Sequence, residues 1–280
     1  MKKLLLPCLL ALLPVSSFAW IDTGHMVVAA IAERDLKPAV RSKVIDLLKV
    51  GGTEKTRDLY GAACWADDTK TNENGPWHYI NYYFKEDGSP GRGKPLEENV
   101  AWAINKFSKV LANRNAPKEE RADALRYILH FVGDAHQPMH SVARETGAHP
   151  DGDRGGNDFK INPPGDMSPV PRNLHFLWDI GGGLFKRVER PLSPTGEQQI
   201  RELAAAIAKN NPRKSVANLQ EQDPFRWSKE SFELAKSRAY KLEENARPGP
   251  AYLQSVRDIS ASRSAAAGYR LADLLNRLFD

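Results

Sequence analysis

The chain is expected to be mainly α-helical, on three observations. Apolar residues recur at helical spacing through most of it, no β-type run is long enough to build a main sheet, and polar Gly/Pro-rich stretches interrupt it at only two places. Residues 25–36 carry Met26, Val27, Ala30 and Ile31 at helical spacing. A second helix over 38–50 opens on Pro38, whose fixed φ and missing N–H suit a first helical position. Residues 96–111 present Val100, Ile104, Phe107 and Leu111 on one face, and 117–136 present Leu125, Ile128, Leu129 and Val132. Residues 173–180, 195–208, 224–243 and 252–279 complete the helical reading. The interruptions are 85–95 and the longer 144–172, which contains Gly155-Gly156-Asn157-Asp158 and has room for a short hairpin around Phe159-Lys160-Ile161. A connection of that length is uncommon unless it serves a site.

The first residues read as an address. Met1-Lys2-Lys3 precedes an apolar run from Leu4 to Val15, and Ser17 and Ala19 occupy the two small-residue positions of a cleavage signal. The run is about a dozen residues, too short for a hydrocarbon core of ~30 Å. With no Cys placed for lipidation, no membrane anchor is expected. Residues 1–19 are therefore expected to be a cleaved signal peptide. A single domain over 20–280 would then reside in the periplasm or outside the cell, with Trp20 as its first residue. Removing Lys2 and Lys3 leaves 38 basic against 35 acidic residues, a formal charge of +3. That mild excess is compatible with a polyanionic substrate without requiring one. Cys8 leaves with the leader, so Cys64 stands alone and an intramolecular disulfide is excluded.

All seven histidines lie between His25 and His175. His130 and Asp134 are four apart on one expected helix, as are His175 and Asp179 on another, so each pair projects from one face. His140 follows Pro138, which ends the helix and lets the chain turn a third group toward the first pair. One such pair is usually an ion pair or a surface cap. Two pairs with His140, set in Leu129-His130-Phe131-Val132 and Leu174-His175-Phe176-Leu177-Trp178, would bury polar groups that need compensation. Zinc takes His nitrogen and Asp oxygen, and ligands four apart on a helix hold it with little ordering cost. Upstream, His25, Asp67, Asp68 and His78 are individually ambiguous between ligand, solvated carboxylate and core histidine.

Taken in order, Trp20-Ile21-Asp22-Thr23-Gly24-His25, Trp65-Ala66-Asp67, Trp77-His78-Tyr79-Ile80-Asn81, the run from His130 to His140, Gly155-Gly156-Asn157-Asp158, and Asn173-Leu174-His175 with Trp178-Asp179 resemble the zinc-dependent single-strand-specific nucleases of the S-one/P-one type. The resemblance implies a helical single domain with three zinc ions in a cleft and long loops around it. It implies one zinc on Asp67, His78, His130 and Asp134. A second would take His25, the bridging Asp134 and Trp20, the last through its free α-amine and backbone carbonyl. The third would take His140, His175 and Asp179. Clustered zincs suit phosphodiester hydrolysis, because they activate water near neutral pH and neutralise charge on phosphate oxygens. The activity implied is endonucleolytic cleavage of single-stranded DNA and RNA to 5′-phosphates, with 3′-nucleotidase activity. No protein partner is implied. Asp67 and Asp134 would serve catalysis as ligands, Asn157 and Lys70 as phosphate contacts, and Tyr79 would stack a nucleobase. Lys70 and Tyr79 also have plainer readings, as a solvated lysine and a core aromatic. Asn81 stands where fungal relatives carry Asp, so it could hydrogen-bond phosphate but not act as a base. His136 is expected to orient a ligand, and His149 to be solvated.

Two alternatives compete. A zinc-dependent phospholipase C shares the fold and cluster, but places its first His further from the N-terminal Trp and usually ends on Glu. The five-residue step from Trp20 to His25 and the identity of Asp179 both point to a nuclease. A non-catalytic periplasmic zinc-binding protein would need the same ligands and no substrate contacts.

Overall fold

A computed structural model describes residues 20–165 and 167–280. The expected signal peptide lies outside the described residues. The elements in order are α1 (Asp22–Asp35), α2 (Pro38–Leu48), α3 (Leu59–Ala62), α4 (Trp65–Asp68), β1 (Tyr82–Lys85), α5 (Val100–Ala112), α6 (Lys118–His136), β2 (Val142–Glu145), α7 (Leu174–Asp179), α8 (Pro194–Asn210), α9 (Pro224–Arg238) and α10 (Pro250–Phe279), with short 3₁₀ turns between some of them. The mainly helical expectation is met.

Helix α6 is the spine. It is buried from Ala122 to His136 at all but two positions, and it packs on α5, α9, α10, α2 and α1. Its exposed first turn carries Glu119 and Glu120, favourable charges at the positive end of the helix. Helix α1 is buried from Thr23 through Ala32 and lies between α10 and α8. It meets α10 closely at Gly268, where an added Cβ would stand 2.5 Å from Ile31 Cγ2. Gly268→Ala should therefore overpack this crossing and cost about 1–3 kcal/mol, read from the midpoint of denaturant unfolding.

Helix ends differ from expectation for local reasons. The α5 helix begins at Val100, four residues after the expected start, because the Asn99 side chain accepts hydrogen bonds from the Ala101 and Trp102 N–H groups and fixes the boundary. The α9 helix ends at Arg238 and passes into a 3₁₀ turn over Ala239–Lys241, five residues short of the expected helix end at Glu243. No hairpin forms around Lys160, which makes one antiparallel bridge to Asn173.

A small sheet does form, of a kind the sequence did not signal. Strand β1 runs parallel to β2, pairing Tyr82 with Val142 through Lys85 with Glu145. Its value is positional. Just before the two strands, Ile80 N–H donates to His140 O at 2.8 Å and His140 Nδ1 donates to His78 O at 2.8 Å. The pairing thus brings His78 and His140 together.

The apolar interior forms two clusters. One holds Met26, Ala66, Ile80, Leu129, Phe131 and Ala135, neighbours of His25, Asp67, His78, His130 and Asp134. The other holds Met139, Leu174, Leu177 and Trp178, neighbours of His140, His175 and Asp179. The polar groups of interest lie along the seam between them.

Candidate metal centre and its pocket

Three groups of donor atoms, each within 4.8 Å of one another, come together: His25, His130 and Asp134; Asp67, His78 and His130; and His140, His175 and Asp179. Each rests on several elements. Helix α6 supplies His130 and Asp134 from one face, α1 supplies His25, and the single turn of α4 supplies Asp67. His78 ends one 3₁₀ turn and His140 lies within another, Pro138–Ser141, each turn preceding one strand of the small sheet, and α7 carries His175 and Asp179. The α7 helix starts where it does because Asn173 Oδ1 accepts from Phe176 N–H at 2.7 Å.

Close approach at the centre depends on glycine. An added Cβ at Gly133 would lie 2.8 Å from His25 Nδ1, so this glycine lets the His25 ring lie over α6. The ring stacks on that of His130 with centroids 3.8 Å apart. Gly155 has φ +65, and a Cβ there would stand 2.4 Å from Met139 O. Only glycine lets that loop pass so near.

Asp134 is the hub. Its Oδ2 lies 3.1 Å from His78 Nδ1 and 3.3 Å from His130 Nε2, and its Oδ1 lies 3.6 Å from His25 Nε2 and 3.7 Å from His140 Nδ1. Three rings are oriented from behind by backbone carbonyls: His130 Nδ1 donates to Ala63 O, His140 Nδ1 to His78 O, and His175 Nδ1 to Gly155 O. Each Nε2 is left facing inward, the tautomer a metal requires.

The proton affinities conflict. Burial pushes His25, His78 and His140 below the usual imidazole range. Burial opposes the charge on His130 too, but the carboxylates of Asp134 and Asp67 outweigh it and hold that ring up at about 9. Burial drives Asp179 well above the usual carboxylate range, whereas Asp134, against its own burial, is held well below it by His130. Meanwhile His25 Nδ1 and Nε2, His78 Nε2, His140 Nε2, Asp67 Oδ1 and Asp134 Oδ1 are buried without a hydrogen-bond partner. Such orphans cost about 1–3 kcal/mol each if nothing meets them. Cations at the three groups would meet one nitrogen of each ring and the two carboxylate oxygens, and this nitrogen and oxygen donor set fits zinc.

Beside the groups lies a pocket of about 190 Å³ whose lining includes Lys70, His78, Tyr79, Asn81, His140, Arg154, Asn157 and His175. Wider hollows exist elsewhere, one of about 390 Å³ along α8, but they bring no His/Asp group together. Lys70 is half-buried and lines the pocket together with His140 and His175. Tyr79, Asn81 and Asn157 are all half-buried at the rim.

Trp20 is wholly buried, edge-on to Phe185 with centroids 5.8 Å apart. Ile21 N–H donates to Asp179 O at 3.2 Å, which seats the start of the described chain beside the third group.

Two residues escaped the sequence reading. Gln137 Nε2 donates to Asp179 Oδ1 at 2.5 Å while its Oε1 accepts from Met139 N–H, so it orients that carboxylate. Arg154 lines the pocket with φ +53, paired to Asp158. The adjoining Gly155-Gly156 was its only signal. His136 corrects an expectation. It touches none of the candidate ligands; its Nδ1 donates to Val132 O, and its Nε2 faces Arg270 Nη1 at 3.0 Å on the far side of α6. Cys64 is buried and free. His149 is half-buried, between exposed Ala148 and Pro150. Among the described residues no helix is long and apolar enough to cross a membrane.

A mainly helical domain with three converging His/Asp groups against one pocket defines a class, helical proteins built around a clustered metal centre. The family model described as S1/P1 Nuclease matches residues 20–280. The chain belongs to this family and is a hydrolase of ester bonds. It is 27% identical to Endonuclease 2 of Arabidopsis thaliana over 279 residues, covering 93% of this chain and 90% of that one. It is 25% identical to Nuclease PA3 of Penicillium sp, with 92% and 97% covered. With Nuclease S1 of Aspergillus oryzae it shares 28% identity over 185 residues, 60% of this chain and 59% of that one.

Proposed function

We propose that this chain is an exported, zinc-dependent endonuclease that cleaves single-stranded DNA and RNA to 5′-phosphates and removes 3′-phosphates from nucleotides. The observation that carries it is the adjacency of the three His/Asp groups to a pocket lined by Lys70, Tyr79, Asn81 and Asn157. Three zinc ions would be held by Asp67, His78, His130 and Asp134; by Trp20, His25 and Asp134; and by His140, His175 and Asp179. Zinc bound there supplies water activation near neutral pH and charge neutralisation on phosphate oxygens. Lys70 and the Asn157 amide draw a phosphate toward the groups, and Asn81 adds a neutral donor. Tyr79 offers its ring to any base, and a base locked in a duplex cannot reach it. A leader over 1–19 delivers the chain across a membrane and exposes Trp20.

The test uses the processed, zinc-loaded protein on single-stranded DNA, RNA, duplex DNA, a 3′-mononucleotide and phosphatidylcholine. Single strands should be cut fastest, with phosphate on the 5′ ends, and chelation should abolish cleavage. Faster hydrolysis of phosphatidylcholine makes the chain a phospholipase C. Three bound zincs with no ester cleaved makes it a zinc-binding protein. Tyr79→Ala should raise KM for oligonucleotides roughly 5- to 150-fold, the loss of one stacked base at about 1–3 kcal/mol. Its zinc content should stay at the wild-type value by elemental analysis.

A further inference from the structure

Arg190 lies in the connection between α7 and α8, and its side chain is only 9% exposed. Its Nε donates to Asp22 Oδ2 at 2.8 Å, Nη1 to Asp68 Oδ2 at 2.8 Å and Nη2 to Asp68 Oδ1 at 2.7 Å. One planar guanidinium thus holds two carboxylates from distant parts of the chain, with the Asp68 pair in fork geometry that lysine cannot reproduce.

The placement of those carboxylates gives the contact its meaning. Asp22 opens α1, two residues after Trp20 and three before His25. Asp68 closes α4 directly after Asp67. The same connecting segment straps the start of α1 elsewhere: Thr23 Oγ1 donates to Lys186 O at 2.7 Å and accepts from Val188 N–H at 3.3 Å, while Phe185 backs Trp20. The group on His25 and the group on Asp67 share His130, so the span between α1 and α4 decides whether both can close at once.

We propose that Arg190 is a positioning residue for metal capture, fixing the span between the Trp20–His25 end of α1 and Asp67 through one guanidinium shared by Asp22 and Asp68. It acts on the ion held at His25 first, because α1 reaches the centre only through that end. This inference rests on the zinc reading above. Groups that orient ligands from behind typically change metal affinity about 10- to 100-fold when removed.

The experiment follows zinc release from the processed full chain to a chromogenic chelator at neutral pH, with the melting temperature of the metal-free protein measured in parallel. Arg190→Ala should release one ion at least about tenfold faster than wild type and leave the others unchanged. Arg190→Lys should fall between, and Asp22→Asn should resemble Arg190→Ala, giving a second route should Arg190→Ala fail to fold. Arg201→Ala, which breaks pairs to Glu33 at the other end of α1 and to Glu197 on α8 and leaves Asp22 and Asp68 untouched, should release zinc at the wild-type rate. Wild-type release from both Arg190→Ala and Asp22→Asn overturns the inference. So does parallel acceleration of every ion together with a lowered metal-free melting temperature, which marks a plain stabilising pair. A wild-type chain that binds no zinc overturns the zinc reading itself.

Discussion

Asp134→Asn should abolish measurable turnover, lowering kcat/KM by at least about 10³-fold, and should strip up to two zinc ions from the chain. The carboxylate is fully buried and faces His25, His78, His130 and His140 at 3.1 to 3.7 Å. The substitution keeps its shape and removes only the charge. Removing a single preorganised charge-stabilising group from an active site commonly costs about 10²–10³ in rate, and here the same change would also empty two of the three proposed sites. Metal analysis and steady-state assays on one sample check both parts. Circular dichroism of the metal-free variant shows whether the helices persist. Full zinc content with activity near wild type would remove Asp134 from the centre.

The second large effect concerns Trp20, the residue proposed to begin the processed chain. A form that retains Ala19 ahead of Trp20 should fold yet lack one zinc, with activity reduced on the order of 10²-fold. An added residue converts the α-amine of Trp20 into an amide, which is a far poorer ligand. The side chain would keep its place against Phe185, and Gly24 would keep its contact beneath it, where a Cβ would stand 2.5 Å from Trp20 Cβ. The comparison pairs protein processed by a signal peptidase with protein released to leave Ala19, each loaded with zinc. Equal zinc and equal activity in the two forms would sink the α-amine role.

What could be read from the sequence follows the range of the interactions involved. Long amphipathic helices announced themselves, because ten or more residues repeat the period several times. Helices α3 and α4 and strands β1 and β2 did not, since four residues hold too little of any period. His130 with Asp134 and His175 with Asp179 were legible as pairs, because spacing on one helix fixes a shared face. His136 was misread for the same geometric reason: two positions beyond Asp134, it points nearly opposite, into the Arg270 side of α6. The sharing of His130 between two groups, the hold of Gln137 on Asp179, and the reach of Arg190 to Asp22 and Asp68 join parts of the chain that only the fold brings together.

The seam between the two apolar clusters bears on how the molecule opens. Each cluster is a candidate unit of cooperative unfolding, and a boundary crossed by buried carboxylates and imidazoles is where such units part first. A cation that neutralises both banks of the seam would weld the units into one. Amide hydrogen exchange of α7 and of the Pro138–Ser141 turn would then slow to the rate of the α6 core when zinc is bound, and run ahead of it after chelation. Among the described residues the one cysteine, Cys64, is free, so ions at this boundary would supply the cross-links that it does not.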